Sequence, residues 1–507
     1  MTAQILLIFS FFVTGIMLQF CLKKRAPLWF LLPSAFFWGA LNWALLTLLS
    51  VLMLQRVSLV FLLTFNGGEI LLLLVCILTS RPLSLGRREW GLVSLYAGFF
   101  MVFTTVFSYI NLSRVSPDSL FLLKMADQIA DSGFTRLTWT SPAAYGYFTS
   151  LIQAVASSLA LDYLYLFQPV LTVNFIVLIF FTIQHFTACI SRTWLRVMLG
   201  LTAVTFLFTS TMMRFQFAYI HTNLPSAAFL FTGVVALLQL TRTREEFWLV
   251  YAMAGLTGFG ITRTENPLLL LLFLGLFLSI SGTTWSQRMR IILPALAVVL
   301  STLMVTLFID TARVDTQLSL QLPDAIIIGM IAVYVLFMAF LLISRVRWIN
   351  EMVIPNFHKL LFFAIVTAFI LAFVLNPLNI LTSMRSIFSA TMLTGGWDSS
   401  WLTIVALLVL LLIYYRQHLV KQPAGILGMS LLLYFLAILL MSLYRAPYHP
   451  QWNDSANRMF TQLLPLFVLF IVLSLEQVIR TDLKAQEKAA SLPENSEPVL
   501  TTPPASS

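Results

Sequence analysis

Charged residues are scarce in this sequence: Asp, Glu, Lys and Arg make up only 10% of its 507 residues, whereas 59% are hydrophobic. A mean hydropathy of +0.92 describes a chain solvated mainly by hydrocarbon, which excludes an ordinary soluble domain. The formal net charge of +10 is spread over short loops without a basic patch, so we expect no nucleic-acid partner. Cysteine is also rare. Cys21, Cys76 and Cys189 lie in or beside apolar runs, and they suggest neither a disulfide framework nor a zinc site.

Long apolar runs dominate what is present. About 15 of them recur from Gln4 to Leu475, and each approaches the roughly 20 helical residues needed to cross a bilayer. The pattern predicts an all-α, polytopic transmembrane helix bundle. The first run is followed by Lys-Lys-Arg rather than by small residues, so we expect a retained helix rather than a cleaved signal. We divide the chain into residues 1–89, with three N-terminal helices, residues 90–477, and a disordered cytoplasmic tail, 478–507, rich in Glu, Ser, Pro and Thr.

The basic residues indicate how these runs are oriented across the membrane, because Lys and Arg near membrane helices stay on the cytoplasmic side. We therefore predict a multi-pass protein of the plasma (inner) membrane, with its N-terminus outside and its C-terminus in the cytoplasm. Nearly all aspartates then fall on the outer face. The basic clusters occupy alternate turns: Lys23–Arg25, Arg81–Arg88, Arg192 and Arg196, Arg242 and Arg244, Arg288 and Arg290, Arg345 and Arg347, Arg416 and Lys421, and Arg480–Lys488.

The first large outer loop holds two amphipathic stretches, which we interpret as helices at the membrane surface. In the first, Ser116 can cap the helix, Pro117 fits its first position and Asp118 lies in the first turn. At 100° per residue, Asp118 shares the apolar face with Leu122, Met125 and Ile129, whereas Asp127 and Asp131 fall on a solvated face. The second stretch, Phe148 to Ala160, follows a Pro and Tyr segment in which Tyr145 and Tyr147 form either a surface turn or a binding cleft.

Three other outer segments carry candidate residues, each with a simpler alternative. Arg214 and His221 can bind phosphate or transfer a proton, or form an ordinary interfacial pair. Arg263 lies at a hairpin turn where it can meet a headgroup or pair locally with Glu265. Arg458 begins the final helix, where it can bind a phosphate or serve as a snorkelling anchor.

Taken in order, these segments resemble the GT-C superfamily of integral-membrane glycosyltransferases, which includes protein O-mannosyltransferases and the lipid A aminoarabinose transferase. The resemblance covers roughly residues 90–477 and depends on the order of four motifs rather than on any one of them. These motifs are Ser116 to Ala126 with Gly133, Ser141 to Tyr147, Gly255 to Arg263, and Asn457-Arg458.

The resemblance implies a GT-C-like catalytic region that moves a sugar from a polyprenyl-phosphate donor to a hydroxyl of a glycan, lipid or protein acceptor. Asp118 would be the general base, Arg458 and Arg263 would bind the donor phosphate, and membrane lipids would surround the site. Many relatives have a second acid beside the first. Here Ser119 follows Asp118, so we predict no metal site and no cofactor.

Two other functions stay open. A polymerase or ligase of lipid-linked oligosaccharides would use Arg214, His221 and Arg385. A transporter or flippase would show internal repeats and broken or charged helices at the midplane. We find no convincing repeat, and Glu69 with the Gly67-Gly68 pair is the best support for transport. A Glu paired inside the bundle is the simpler interpretation of that segment.

Overall fold

The computed structural model describes residues 2–22, 25–80, 86–110, 114–134, 145–311, 324–419, 424–443, 448–449 and 454–490. Within these ranges the regular structure is helical, and 11 helices are long and apolar enough to span a membrane. The total is 12 if the pair Thr193–Thr209 and Thr211–Ala218, bent by 87°, forms one span. Two further apolar helices, Asn266–Ser281 and Ser400–Tyr414, are shorter and are not included in that total. The predicted all-α polytopic bundle is confirmed.

The helices are numbered here in chain order. Short π-helical turns at Arg288–Ile292, Ile349–Val353 and Ala390–Thr394 adjoin three of them. They are α1 Thr2–Phe20, α2 Leu28–Leu54, α3 Leu59–Ser80, α4 Arg87–Ile110, α5 Pro117–Ser132, α6 Phe148–Ser158, α7 Phe167–Phe186, α8 Thr193–Thr209, α9 Thr211–Ala218, α10 Asn223–Thr243, α11 Glu246–Thr262, α12 Asn266–Ser281, α13 Leu293–Thr311, α14 Asp324–Ile343, α15 Ile354–Leu375, α16 Pro377–Ser389, α17 Ser400–Leu419, α18 Ala424–Met441 and α19 Ser455–Ala490.

Helix α10 lies at the centre of the bundle, packed mainly against α11 and α19. Its contact with α11 is close because Gly233 and Gly255 face each other: a Cβ on Gly255 would lie 2.6 Å from the Gly233 nitrogen. The N-terminal helices join the same core, since Phe36 and Phe37 of α2 contact Phe167 and Phe229. The described N-terminal helices therefore pack on the rest of the bundle.

The intramembrane Glu69 is paired within this N-terminal group. Asn42 Nδ2 donates to Glu69 Oε2 at 2.7 Å, and Thr14 donates to Asn66 at 3.2 Å. Helix α3 runs without a break through Gly67 and Gly68. This arrangement matches the simpler interpretation, a Glu hydrogen-bonded inside the bundle.

Two amphipathic or polar segments differ from their predicted settings. Helix α6 does not expose a solvated face, because residues 148–156 are all buried, with α5, α2 and α11 packed against it. Helix α19 continues to Ala490, so disorder predicted from residue 478 begins too early. The Ala, Glu, Gln and Lys residues there are strong helix formers and extend a helix already nucleated in the membrane. Residues 491–507 lie outside the described chain.

Candidate functional site

The candidate site lies at one end of the bundle. It is formed by the beginnings of α5, α10 and α19 and by the turn between α11 and α12. At the other end, Arg242 near the end of α10 pairs with Glu476 of α19 at 2.5 Å. Glu476 follows Arg458 by 18 residues of helix, or roughly 27 Å at 1.5 Å per residue. The two polar ends are thus separated by about one hydrocarbon thickness.

The start of α5 is fixed by capping and by a neighbouring strand-like segment. Ser116 and Ser119 form the capping box, with Pro117 in the first turn. The Ser119 hydroxyl also donates to the Ile220 carbonyl at 2.6 Å. Backbone hydrogen bonds join Arg114 to Ala218 and Ile220 at 2.8 and 3.1 Å. These contacts hold the first turn of α5 against the segment that carries His221.

The predicted faces of α5 are confirmed. Leu122, Met125 and Ile129 are buried, whereas Asp127 and Asp131 are exposed. Asp118 is half-buried at the edge of the apolar face, with 32% of its side chain exposed. Of the three acids on this helix, Asp118 is therefore the one directed into the protein.

His221 is buried and its protonation is set by its surroundings. Its Nδ1 accepts the Thr222 backbone N–H at 3.1 Å and the Asn223 amide at 3.0 Å. Because two donors face Nδ1, we assign the proton of the neutral ring to Nε2, which lies 3.4 Å from Asp118 Oδ2. Burial lowers the pKa of His221 to about 4, so the ring is neutral at physiological pH and donates to Asp118.

Arg458 enters the same cluster from the first turn of α19. Its Nη1 donates to Asp118 Oδ2 and lies 2.8 Å from His221 Nε2. The hydrogen bond from His221, reinforced by the charge of Arg458, holds the pKa of Asp118 well below its usual range despite burial. Arg458 Nε is buried without an acceptor among the described residues. The resting site is thus an ionised carboxylate bound by one cation and one neutral imidazole.

The position of Arg458 depends on its neighbour Asn457. Asn457 Nδ2 donates to the Gly395 carbonyl at 3.0 Å, and its Oδ1 accepts from Trp397 at 2.5 Å. Both Asn457 and Trp397 are buried. The loop before α17 therefore anchors the start of α19 and directs Arg458 at Asp118.

Arg263 is connected to the Asp118 cluster through one intermediate residue, Asn223. It is buried, it pairs with Glu265 through two contacts of 3.3 Å, and it donates to Asn223 Oδ1. Asn223 in turn contacts His221 and donates to Gln216 at 3.2 Å. Of the two alternatives from the sequence, the local pair with Glu265 is present; Arg263 is also linked through Asn223 to the Asp118 cluster.

The two tyrosines have different environments. Tyr145 is half-buried beside Asp118 and stacks on Phe121 with ring centroids 6.4 Å apart. Burial, with a contribution from Asp118, raises the pKa of Tyr145 to about 12, so its hydroxyl stays protonated. Tyr147 is buried in the helix packing and shares a 2.9 Å hydrogen bond with Thr306 of α13. The structure thus places Tyr145, rather than Tyr147, next to the carboxylate.

Arg214 and Arg385 lie apart from this cluster. Both are exposed, and Arg214 donates to Thr211 at 2.7 Å. No described contact links either of them to Asp118, His221 or Arg458. Asn223 was not a candidate from the sequence, and Asn457 appeared there only within the motif that contains Arg458; each lies within two residues of a candidate, in the first turn of a helix.

An apolar cavity of about 730 Å³ lies between α16, α17, α18 and α19. Phe460, Leu463 and Phe467 of α19 line it. These residues lie roughly 140–200° around the helix from Arg458, at 100° per residue. The cavity and the Asp118 cluster are therefore on opposite faces of α19.

Comparison with known proteins returned no family model, no curated protein and no solved structure that matches this chain. Within the described ranges, no group of three or more His, Cys, Asp or Glu side chains is placed to hold a metal ion.

Proposed function

We propose that this chain is a membrane glycosyltransferase that moves a sugar from a polyprenyl-phosphate donor to an acceptor hydroxyl. The proposal rests on one observation: Asp118, His221 and Arg458, up to 340 positions apart, meet at one end of a membrane bundle. A carboxylate beside a cation is what proton removal from a hydroxyl and departure of a phosphate require.

In the proposed reaction the acceptor hydroxyl gives its proton to Asp118 while its oxygen bonds to the anomeric carbon. The bond from that carbon to the phosphate oxygen breaks, and its electron pair leaves with the phosphate. Arg458 stabilises the resulting negative charge, which a guanidinium does through paired hydrogen bonds. The buried Nε of Arg458, which has no acceptor in the described chain, is a further donor for that phosphate.

The resting contacts require a change on donor binding. A carboxylate whose pKa is held well below its usual range is a weak base. When the phosphate of the sugar donor attracts Arg458, Asp118 loses one of its two hydrogen-bond donors. Its carboxylate then becomes more basic. His221 keeps its hydrogen bond meanwhile, because its tautomer is fixed by the Thr222 backbone. In this scheme the polyprenyl-phosphate sugar therefore binds before Asp118 removes the proton from the acceptor hydroxyl.

The location of the reaction follows from the charge pattern. Arg242 and Arg480 lie at the end of the bundle opposite Asp118, where both pair with Glu476. If those residues face the cytoplasm, the reaction occurs at the outer face of the plasma (inner) membrane. Asp118 would then receive its acceptor from outside and its donor from the outer leaflet.

The test is transfer from a panel of labelled polyprenyl-phosphate sugars in membranes that contain wild type, Asp118→Asn or Asp127→Asn. Loss of the base is expected to lower transfer by about 10²–10⁴-fold. Asp127 is an exposed acid on the same helix, so Asp127→Asn is the matched control and should retain activity. Equal activity of wild type and Asp118→Asn would exclude Asp118 as the base.

Arg458→Lys separates phosphate binding from chemistry. It keeps a positive charge but loses the planar pair of donors, so we expect a higher KM for the donor together with partial activity. An unchanged KM for every donor that is transferred would argue against a phosphate at Arg458.

A further inference from the structure

A second cavity lies at the opposite end of the bundle from Asp118. Helix α7 connects the two places: near its start, Gln168 donates to the Gln216 carbonyl at 2.7 Å, and Gln216 accepts from Asn223 in the candidate site. Its last turn contains His185. The 20 residues of α7 span about 30 Å, so a cavity at His185 is separated from the site by about a membrane thickness.

This cavity, called here the Arg196 cavity, has a volume of about 660 Å³ and lies between α2, α4, α7 and α8. Its lining is graded. Leu95, Phe99, Val177 and Leu201 belong to an apolar part, whereas Arg196 and neighbouring polar residues occupy the end near the α7–α8 turn. Such a gradient matches a molecule with an apolar chain and a polar head.

The polar end carries positive charge without an acid to balance it. Arg196 Nη2 donates to Thr193 at 3.2 Å, but its Nε is buried with no acceptor in the described part of the chain. Its backbone carbonyl accepts from Gln184, which fixes the turn. Among the described residues, no Asp or Glu lines the cavity. A buried guanidinium N–H is costly unless an acceptor reaches it, and a phosphate oxygen is such an acceptor.

An aromatic stack closes one side of the polar end. Trp29 and His185 lie parallel, with ring centroids 4.5 Å apart and an angle of 17°. The neighbouring acid Glu89 is engaged by Arg25 at 3.3 Å, and Glu476 by Arg242. Both of these acids are thus paired with other arginines, and none of the ion pairs in the described residues involves Arg196.

We propose that the Arg196 cavity binds an anionic phospholipid, with an acyl chain along Leu95, Phe99 and Val177 and the phosphate at Arg196. Two other polar side chains of the lining, His185 and Gln184, face the glycerol and headgroup region. The site is independent of the proposed transferase reaction, since its residues lie at the other membrane face from Asp118.

The experiment is native mass spectrometry of the purified, delipidated protein titrated with phosphatidylglycerol or phosphatidylcholine of identical chains. Wild type should bind phosphatidylglycerol more tightly. Arg196→Gln should weaken that binding about fivefold, the effect of one basic residue on an anionic lipid, and should leave phosphatidylcholine unchanged. Arg347→Gln is the control, because Arg347 is exposed, pairs with Glu351 and lies outside the cavity.

A second variant tests the apolar part without altering charge. Leu201 is 40% exposed at the rim, so Leu201→Trp can fill the cavity with little cost to folding, and it should weaken binding of both lipids. Equal binding of the two lipids by wild type, or unchanged phosphatidylglycerol binding by Arg196→Gln, would overturn the proposal. Retention of both lipids by Leu201→Trp would do the same, because it would place them elsewhere on the protein.

Discussion

The contact between Asp118 and Arg458 makes a measurable contribution to the stability of the bundle. Their side chains are 32% and 14% exposed, which places the pair between surface ion pairs, worth up to about 1 kcal/mol, and buried pairs, whose disruption costs about 3–5 kcal/mol. His221 also donates to the same oxygen. We therefore expect a coupling free energy between Asp118 and Arg458 of about 1–2 kcal/mol.

A double-mutant cycle measures this coupling. The variants are Asp118→Asn, Arg458→Gln and the double substitution, unfolded from dodecyl maltoside by increasing sodium dodecyl sulfate and followed by tryptophan fluorescence. Asn retains an acceptor for His221, so the cycle reports mainly the charge pair.

The matched control is Arg347 and Glu351, an exposed pair on one helical face with side chains 88% and 58% exposed. Its coupling should not exceed about 0.5 kcal/mol. If the coupling of Asp118 with Arg458 were no larger than that of this control pair, the two residues would not form the close contact on which the proposed function depends.

Three further predictions concern other contacts. The pKa of His221 is about 4 in the folded protein against about 6.5 in an unfolded chain, so His221 should contribute a loss of up to about 3 kcal/mol of folding stability as pH falls from 6.5 to 4; His221→Gln should make that profile less steep than in wild type, and an equally steep profile would contradict burial of a neutral ring at this position. Gly146 has a φ of +73°, and a Cβ there would lie 2.5 Å from the Thr262 carbonyl, so Gly146→Ala should cost roughly 2–4 kcal/mol in the same unfolding assay; a neutral effect would refute that packing. Arg242→Gln leaves the buried Glu476 with Arg480 alone and should destabilise the protein by about 2 kcal/mol, and a wild-type midpoint would show that Arg480 suffices.

The fold class and the faces of α5 were accessible from the sequence because they depend on local patterns. Long apolar runs require helices in a membrane, and a 100° repeat separates Asp118 from Asp127 on any helix. No such local pattern predicts that α6 is buried. Its pattern is amphipathic, but its polar face meets α2, α5 and α11 instead of water.

The partners of Asp118 were harder to predict because they depend on packing between distant helices. His221 and Arg458 were each candidates, yet nothing within either segment shows that Nε2 of one and Nη1 of the other approach the same carboxylate oxygen. Asn223 illustrates the limit well. Its role as a link between His221 and Arg263 follows only from the close approach of α10 and α11 at their glycines.

The two apolar cavities described above help to separate binding from chemistry in this molecule. Among the described residues, neither the cavity beside Phe460 nor the Arg196 cavity is lined by a carboxylate. Arg196 nevertheless resembles Arg458 in one respect, because the Nε of each is buried without an acceptor in the described chain. The two arginines differ in their neighbours, because only Arg458 lies beside Asp118 and its hydrogen-bond donor His221 among the described residues. An arginine at the end of an apolar cavity suffices to hold a lipid phosphate, whereas transfer of a group from that phosphate also needs a base, and the described structure places a carboxylate beside only one of these two arginines.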